Sequence, residues 1–428
     1  MVPHLVTALT GPLLDLEKKI LEATPAIERW FRLEWQEHTP PFYCSVDLRN
    51  AGFKLAPVDS NLFPRGFNHL AQEMLPLAVQ AAMAAIDKYC PDARNVILIP
   101  EKDLDDPSYS QNVSRLVKIF RQTGLHVRLG CWRCNAPRQI ALDDGSSLTL
   151  EPLQRSANGR RVVLPNFDPC TIILNNDLAQ GVPAVLDQVH EQNLLPPLHA
   201  GWSVRRKHNH FAAYDEVAKK FGKLIDIDPW MVNPLYGKTG EINLALPEGA
   251  DLLKTTVDGV LSKIRKKYKE YGIKEKPFVI VKGNASTEGA GIFTLRDAKE
   301  LTGLLERAGN TLGKDGEPLS DVVVQEGVYT FERINEAVTE PVVYMIDRYV
   351  IGGYYRVHEQ RAADESLNMP GSRFVPLAFA QQHAIPDVDA RPGASAPNRF
   401  YMYGVVARLA LLAASLEMER TDPDPEVY

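Results

Sequence analysis

Phe278-Val279-Ile280-Val281 runs into Lys282 and then into Asn284-Ala285-Ser286-Thr287-Glu288-Gly289-Ala290-Gly291, so a β-prone run delivers a cation to a loop of small residues. A second β-run, Val322-Val323-Val324, ends in Gln325-Glu326-Gly327-Val328. A predicted hairpin follows, carrying Asp347 and Arg356 and leading to Glu365 and Asn368. The order is strand with lysine, flexible loop, strand with acid, hairpin, then acid and amide. That order fits ATP-dependent activation of a carboxylate.

Joining a carboxylate to an amine in water is uphill, so the carboxylate oxygen must first take a phosphoryl group. A protein doing this has to neutralise a triphosphate, hold Mg²⁺ with hard oxygen ligands and stabilise charge during transfer. Lysines, carboxylates, an amide and an arginine are the groups for that work. Gly289 and Gly291 let backbone N–H groups approach phosphate oxygens closely.

The 428 residues predict two or three lobes with sizeable cores. A hydrophobic share of 45% with 24% charged residues describes an ordinary globular chain. The net charge of −6 argues against a general partner in nucleic acid or an anionic membrane. The most basic stretch, Lys263 to Lys269, reads as a solvated helix face. The N-terminus lacks a secretory pattern and five cysteines make a disulfide framework unexpected, so a cytoplasmic location is expected. Tyr401 to Leu416 is apolar but broken by Arg408 and short for a bilayer, and reads as a buried helix.

Hydrophobic patterning predicts a helix near Leu13–Leu21, a strand at 42–47, and then alternation: helix 74–88, strand 96–99, helix 113–123, strand 126–129, a hairpin of 139–142 with 147–151, and strand 171–174. Strands alternating with helices to about residue 200 predict an α/β lobe with a largely parallel sheet. The expected division is an N-terminal α/β substrate-side lobe over 1–200, a helical linker with the start of the nucleotide-binding region over 201–275, the nucleotide-binding region proper over 276–420 and a mobile tail over 421–428.

With these residues laid out, the chain resembles the ATP-grasp superfamily, and more closely its bacterial glutamate–cysteine ligases, relatives of the glutathione synthetases. The densest parts of the likeness are Pro57 to Asn68, Gly201 to Lys207 and Glu340 through Asn368. The resemblance implies an α/β ATP-grasp fold that uses ATP and Mg²⁺ to join glutamate to cysteine in the first step of glutathione biosynthesis. It implies that Lys207 and Lys282 contact the nucleotide phosphates and that Gln325, Glu326 and Val328 form the hinge that meets adenine and ribose. Asp347, Glu365 and Asn368 then become the metal ligands, with Asp364 a substitute for Glu365, and Arg356 steadies the transferring phosphoryl group. The family's loop usually has an acid, a glycine and an aromatic where Asn284, Ser286 and Glu288 stand here.

Asp47, Arg49, Asp59, Asn61 and Asn68 suit an amino-acid substrate. Arg49 can pair bidentately with a carboxylate, and Asp59 or Asp47 can hold an ammonium group. Arg205 and Arg206 are rival carboxylate binders. Each of these residues also has a plain structural role open to it: turn or cap for the Asp and Asn residues, a same-face pair for Asp47 and Arg49, and a solvated helix start for Lys207. Cys131-Trp132-Arg133-Cys134 lacks the second pair that a structural zinc needs. A ligase for a different acid and amine, and a nucleotide-binding protein of weak activity, are the competing functions. The sequence leaves open whether the chain forms a homo-oligomer.

Overall fold

The computed structural model describes residues 5–6, 11–102, 104–244, 246–285, 292–303, 320–377 and 399–423. Gly289 and Gly291, with the loop from Ser286, lie outside the described residues, as do positions 424–428 of the tail. In chain order the first elements are β1 (Leu5–Val6), α1 (Gly11–Glu22), α2 (Thr24–Glu37), β2 (Tyr43–Asn50), β3 (Leu55–Asn61), α3 (Leu75–Tyr89), β4 (Asn95–Pro100), α4 (Pro107–Gln122), β5 (His126–Cys131), β6 (Arg138–Ala141), β7 (Ser147–Pro152), β8 (Gln154–Arg155), β9 (Val162–Val163), β10 (Thr171–Asn175) and β11 (Asn193–Leu195). They are followed by α5 (Lys207–Ile225), β12 (Tyr236–Glu241), α6 (Pro247–Glu270), β13 (Val279–Gly283), β14 (Phe293–Leu295), β15 (Asp321–Glu326), β16 (Arg333–Ile334), β17 (Ala337–Ile346), β18 (Tyr349–His358), β19 (Arg373–Pro376) and α7 (Arg399–Thr421).

The mixed α/β architecture agrees with the reading from sequence. One sheet has the order β11-β10-β4-β5-β7-β6, parallel except for β6. Its central runs are apolar at every position because both faces are covered: Ile97, Ile99, Ile172 and Leu174 enter one core while Val96, Leu98 and Ile173 enter another.

The large antiparallel sheet runs β1-β16-β17-β18-β19, with β2 on the free part of β17 and β3 beyond β2. Residues 43–61 therefore belong to the same sheet as the hairpin of residues 337–358, and the expected lobe of 1–200 is not a unit. A parallel-sheet body of 95–195 is inserted after β3 instead. The third sheet, β12-β15-β13-β14, is antiparallel and packs Val279, Val281, Val322 and Val324 against Val257, Leu261 and Ile264 of α6. β12 falls within the region expected to be helical.

Helix α7 is largely apolar from Tyr401 to Leu416, broken by Arg408, and contributes most of its residues to the largest core among the described residues. Phe400–Thr421 is long and apolar enough to cross a membrane, but 89% of its apolar window is buried within the protein, which is the condition of a core helix. The cysteines differ from expectation. Cys90 pairs with Cys170 and Cys131 with Cys134, leaving Cys44 free and buried. The first pair joins the end of α3 to the start of β10, a proximity that only the topology creates.

Candidate active site

The third sheet meets the large sheet along β3. Strand alternation sends Val279 and Val281 into the α6 core, so Lys282 projects from the opposite face of β13. There Lys282 Nζ donates to the Val58 carbonyl at 3.0 Å, and Gln325 Nε2 reaches the same oxygen at 3.4 Å. Lys207 opens α5 and lies 3.8 Å from the centroid of the Trp202 ring. A recess lined in part by Val58, Asp59, Trp202, Lys207, Phe211 and Pro234 opens beside them.

Asp59 is the carboxylate that both lysines feel. It reaches solvent, yet it sits in a wall crowded enough for desolvation to count. Desolvation pushes its carboxyl up, but Lys207, Lys282, Arg205 and His210 together outweigh this and hold it below the usual range. Burial holds Lys207 down to about 8 and Lys282 below its ordinary value, with Asp59 opposing the shift in both. Two cations from separate elements, short of counter-charge and sharing one acid, can receive an anion.

Beside this pair is a chain of buried charges. Arg356 Nη1 donates to Asp47 Oδ2 and to Glu340 Oε1, both at 2.6 Å, and Arg49 Nε donates to Glu340 Oε2 at 3.0 Å. The pairing is set by register: Glu340 lies opposite Arg356 across β17 and β18, and Asp47 lies opposite Asp59 across β2 and β3. Like charges directly opposite are destabilising. Here Asp47 has Arg356 on one side and Asp59 has the lysines on the other. Burial still pushes the Asp47 carboxyl up, with Arg356 opposing it. The guanidinium of Arg356 is buried, and its Nε has no protein partner among the described residues.

Residues 17–418 match the family described as glutamate-cysteine ligase. The chain belongs to the glutamate–cysteine ligase family. A crystal structure from Methylobacillus flagellatus KT, provisionally named a gamma-glutamylcysteine synthetase, is 52% identical and covers 99% of this chain and 100% of its own, with a TM-score of 0.90. Two more distant structures are each 11% identical. D-alanyl-alanine synthetase A from Vibrio cholerae covers 74% of this chain and 81% of its own at a TM-score of 0.32. A glutathione synthetase-like effector from Globodera pallida covers 81% and 78% at 0.34. Neither is close enough to carry an argument. Comparison with curated proteins gives no match.

Several residues expected at this ligase's site are engaged elsewhere. Arg49 donates to Glu340, to the Val328 carbonyl at 3.1 Å and to the Glu365 carbonyl at 2.5 Å, so it braces the sheet rather than presenting a free fork to a substrate. Arg205 grips Glu417 of α7 through Nε and Nη2 at 2.9 and 2.8 Å and is buried with it. Arg206 donates to nearby main-chain carbonyls, including that of Val204 at 2.8 Å. The Glu326 carboxylate lies inside the core, accepting from Lys54 Nζ at 2.7 Å, Trp230 Nε1 at 3.0 Å and Leu235 N at 2.8 Å; it is not available to a ribose. Val328 is buried in the same core. Gln325 does face the cleft, and its Oε1 is buried without a partner among the described residues.

The expected metal ligands do not converge. Asp347 occupies the tight turn between β17 and β18 and is held by Lys88 Nζ at 2.6 Å. Arg356 is seven residues along β18 from Tyr349, about 23 Å at the ~3.3 Å rise of a strand. Glu365 lies beyond the other end of the hairpin, its Oε2 accepting from Ala362 N at 2.8 Å, and Asn368 is exposed. Asp364 pairs with Arg296. Among the described residues no group of three His, Cys, Asp or Glu side chains forms that could hold a metal, and because Asp347 lies at the opposite end of the hairpin from Glu365 and Asn368, the three do not fit Mg²⁺ as a set. Asn61 Oδ1 accepts from Phe63 N at 2.8 Å in a turn, while Asn68 Oδ1 is buried without a partner among the described residues.

Glu340 and Glu417 were missed as site supports. For Glu340 the signal was a lone carboxylate within the β-prone run Val338 to Ile346; for Glu417 there was little, because it stands at the charged end of α7 beside Glu419 and Arg420. Glu417 also meets His210 Nδ1 at 3.2 Å, and His210 Nε2 meets Ser60 Oγ at 2.9 Å, tying α7 to β3. Burial opposes the charge of Glu417, but Arg205 and His210 bring its pKa down to about 2 from 4.5. Because the folded value is depressed, the contribution to stability is complete above pH 4.5 and is lost as pH falls toward 2. Its size is about 3 kcal/mol. Glu417→Gln should therefore flatten the acid limb of a pH–stability curve over that window; an unchanged limb would show that Glu417 does not supply it.

Proposed function

We propose that this chain joins the γ-carboxylate of glutamate to the amine of cysteine, with ATP converted to ADP and phosphate. What carries the reading is that Lys207 and Lys282 come from separate elements to the stretch Val58-Asp59 at one recess, in a chain of this family. ATP would enter between the third sheet and β3 as an ATP-grasp enzyme binds it, its phosphates displacing Lys282 from the Val58 carbonyl and meeting both lysines. The arriving anion adds the counter-charge that offsets the desolvation holding the lysines' pKa values down. The apolar walls at Trp202, Phe211 and Pro234 suit a flat base, and Gln325, bonded to the Val58 carbonyl, keeps an Oε1 without a partner among the described residues that a base amine could use.

A γ-carboxylate oxygen of glutamate attacks the terminal phosphorus, ADP leaves, and the cysteine amine then attacks the acyl carbon and expels phosphate. Arg356, held by Asp47 and Glu340 rather than free to swing, would stabilise charge on the transferring group. Asp59 and Asp47 remain the candidates for a substrate ammonium group, with Asn68 presenting an unpartnered amide oxygen. No step is assigned to a metal, because the expected ligands lie apart.

ADP release measured across amino-acid pairs tests this reading. Glutamate with cysteine should stimulate release most strongly. Equal or greater stimulation by another acid and amine would move the assignment to that pair.

A further inference from the structure

We propose that Asn284 is a positioning residue that joins the two cleft lysines into one unit. It follows Lys282 by two residues and is 1% exposed. Its carbonyl accepts from Lys207 N at 2.9 Å, and its own N–H donates to the Asp321 carbonyl at 2.9 Å. Asn284 Oδ1 accepts from His208 N at 3.0 Å, while Nδ2 donates to His208 Nδ1 at 2.7 Å and to Asp321 Oδ2 at 2.6 Å.

The first turn of any helix has N–H groups without intrahelical partners. In α5 the preceding residue, Arg206, makes no side-chain cap. Asn284 supplies the missing acceptors from a different element, its carbonyl for the first residue of the helix and its side chain for the second. The start of α5, and with it Lys207, is thereby fixed relative to the end of β13, and with it Lys282. Lysine stems are flexible and carry point charges, so their bases have to be held if both ammonium groups are to meet one triphosphate.

The position needs an acceptor for His208 N and a donor for Asp321 on one short side chain. Asparagine provides both. An aspartate would keep the acceptor and set a second carboxylate against Asp321. This inference rests on the reading of Lys207 and Lys282 as triphosphate contacts.

Steady-state kinetics of the full chain test it, with KM for ATP and for glutamate measured separately in each variant. Asn284→Ala should raise the KM for ATP about tenfold while leaving that for glutamate within about twofold. Asn284→Asp should also raise the KM for ATP, and Asn284→Asp with Asp321→Asn, which restores a donor facing an acceptor, should return it to within about threefold of the parent. A general folding role would lower the melting temperature without this selective, rescuable change. An unaltered KM for ATP in Asn284→Ala, or a double variant no better than Asn284→Asp, would overturn the proposal. Lys207→Ala and Lys282→Ala run alongside separate the two levels. If these raise the KM for ATP and Asn284→Ala does not, only the positioning role fails; if they also leave it unchanged, the reading of the lysines fails.

Discussion

Lys282→Ala should lower kcat/KM for ATP by about 10²-fold or more while the protein keeps its fold. The size follows from removing one of the two cations that would meet the phosphates where negative charge has to be stabilised. The fold should survive because Lys282 is a buried ammonium that burial disfavours, and its bond is to a carbonyl rather than to a structural acid. The melting temperature of Lys282→Ala is expected to equal or exceed that of the parent. Turnover within about threefold of the parent would remove Lys282 from phosphate contact.

Arg356→Ala should abolish turnover and destabilise the protein together. Its guanidinium serves Asp47 and Glu340 at once, and both carboxylates lie within the sheet. Taking it away leaves Asp47 without that partner, while Glu340 keeps Arg49. Breaking a buried pair from one side typically costs about 3–5 kcal/mol. Denaturant melts should show a loss of that order, and Arg356→Lys should recover part of the stability but little of the rate, since one ammonium cannot reproduce the planar fork. An Arg356→Ala protein as stable as the parent would mean that the charge chain is not structural. One with normal turnover would mean that Arg356 is not at the reaction.

Much of the architecture was legible because local pattern and burial agreed. Val96–Ile99 and Thr171–Leu174 read as strands since both faces of a parallel sheet demand apolar residues, and Tyr401–Leu416 read as a buried helix because it is apolar yet short for a bilayer and broken by Arg408. β12 was not legible. Its sequence, Tyr-Gly-Lys-Thr-Gly-Glu, has two glycines and weak strand preference, and its register comes from β15. The lysines were legible as parts, Lys282 from its place at the end of a β-run.

Partnership was the part that sequence could not reach. Arg49 and Arg205 carry the right chemistry for a substrate carboxylate, but Glu340 and Glu417, 291 and 212 residues away, occupy them in the fold. Asp347 precedes Arg356 by nine positions, which looks close in a sequence; in a hairpin those positions place the two at opposite ends. Asn284 looked like a departure from the family loop, and its structural role emerged only once α5 was seen to begin against it.

Activation of glutamate as an acyl phosphate in this cleft leaves an isotopic signature, because the bridging oxygen comes from the γ-carboxylate. Glutamate carrying ¹⁸O in its γ-carboxylate would be turned over with cysteine and ATP, and the inorganic phosphate analysed by mass spectrometry. One labelled oxygen should pass into phosphate for each γ-glutamylcysteine formed. Phosphate released without label while the dipeptide accumulates would contradict it.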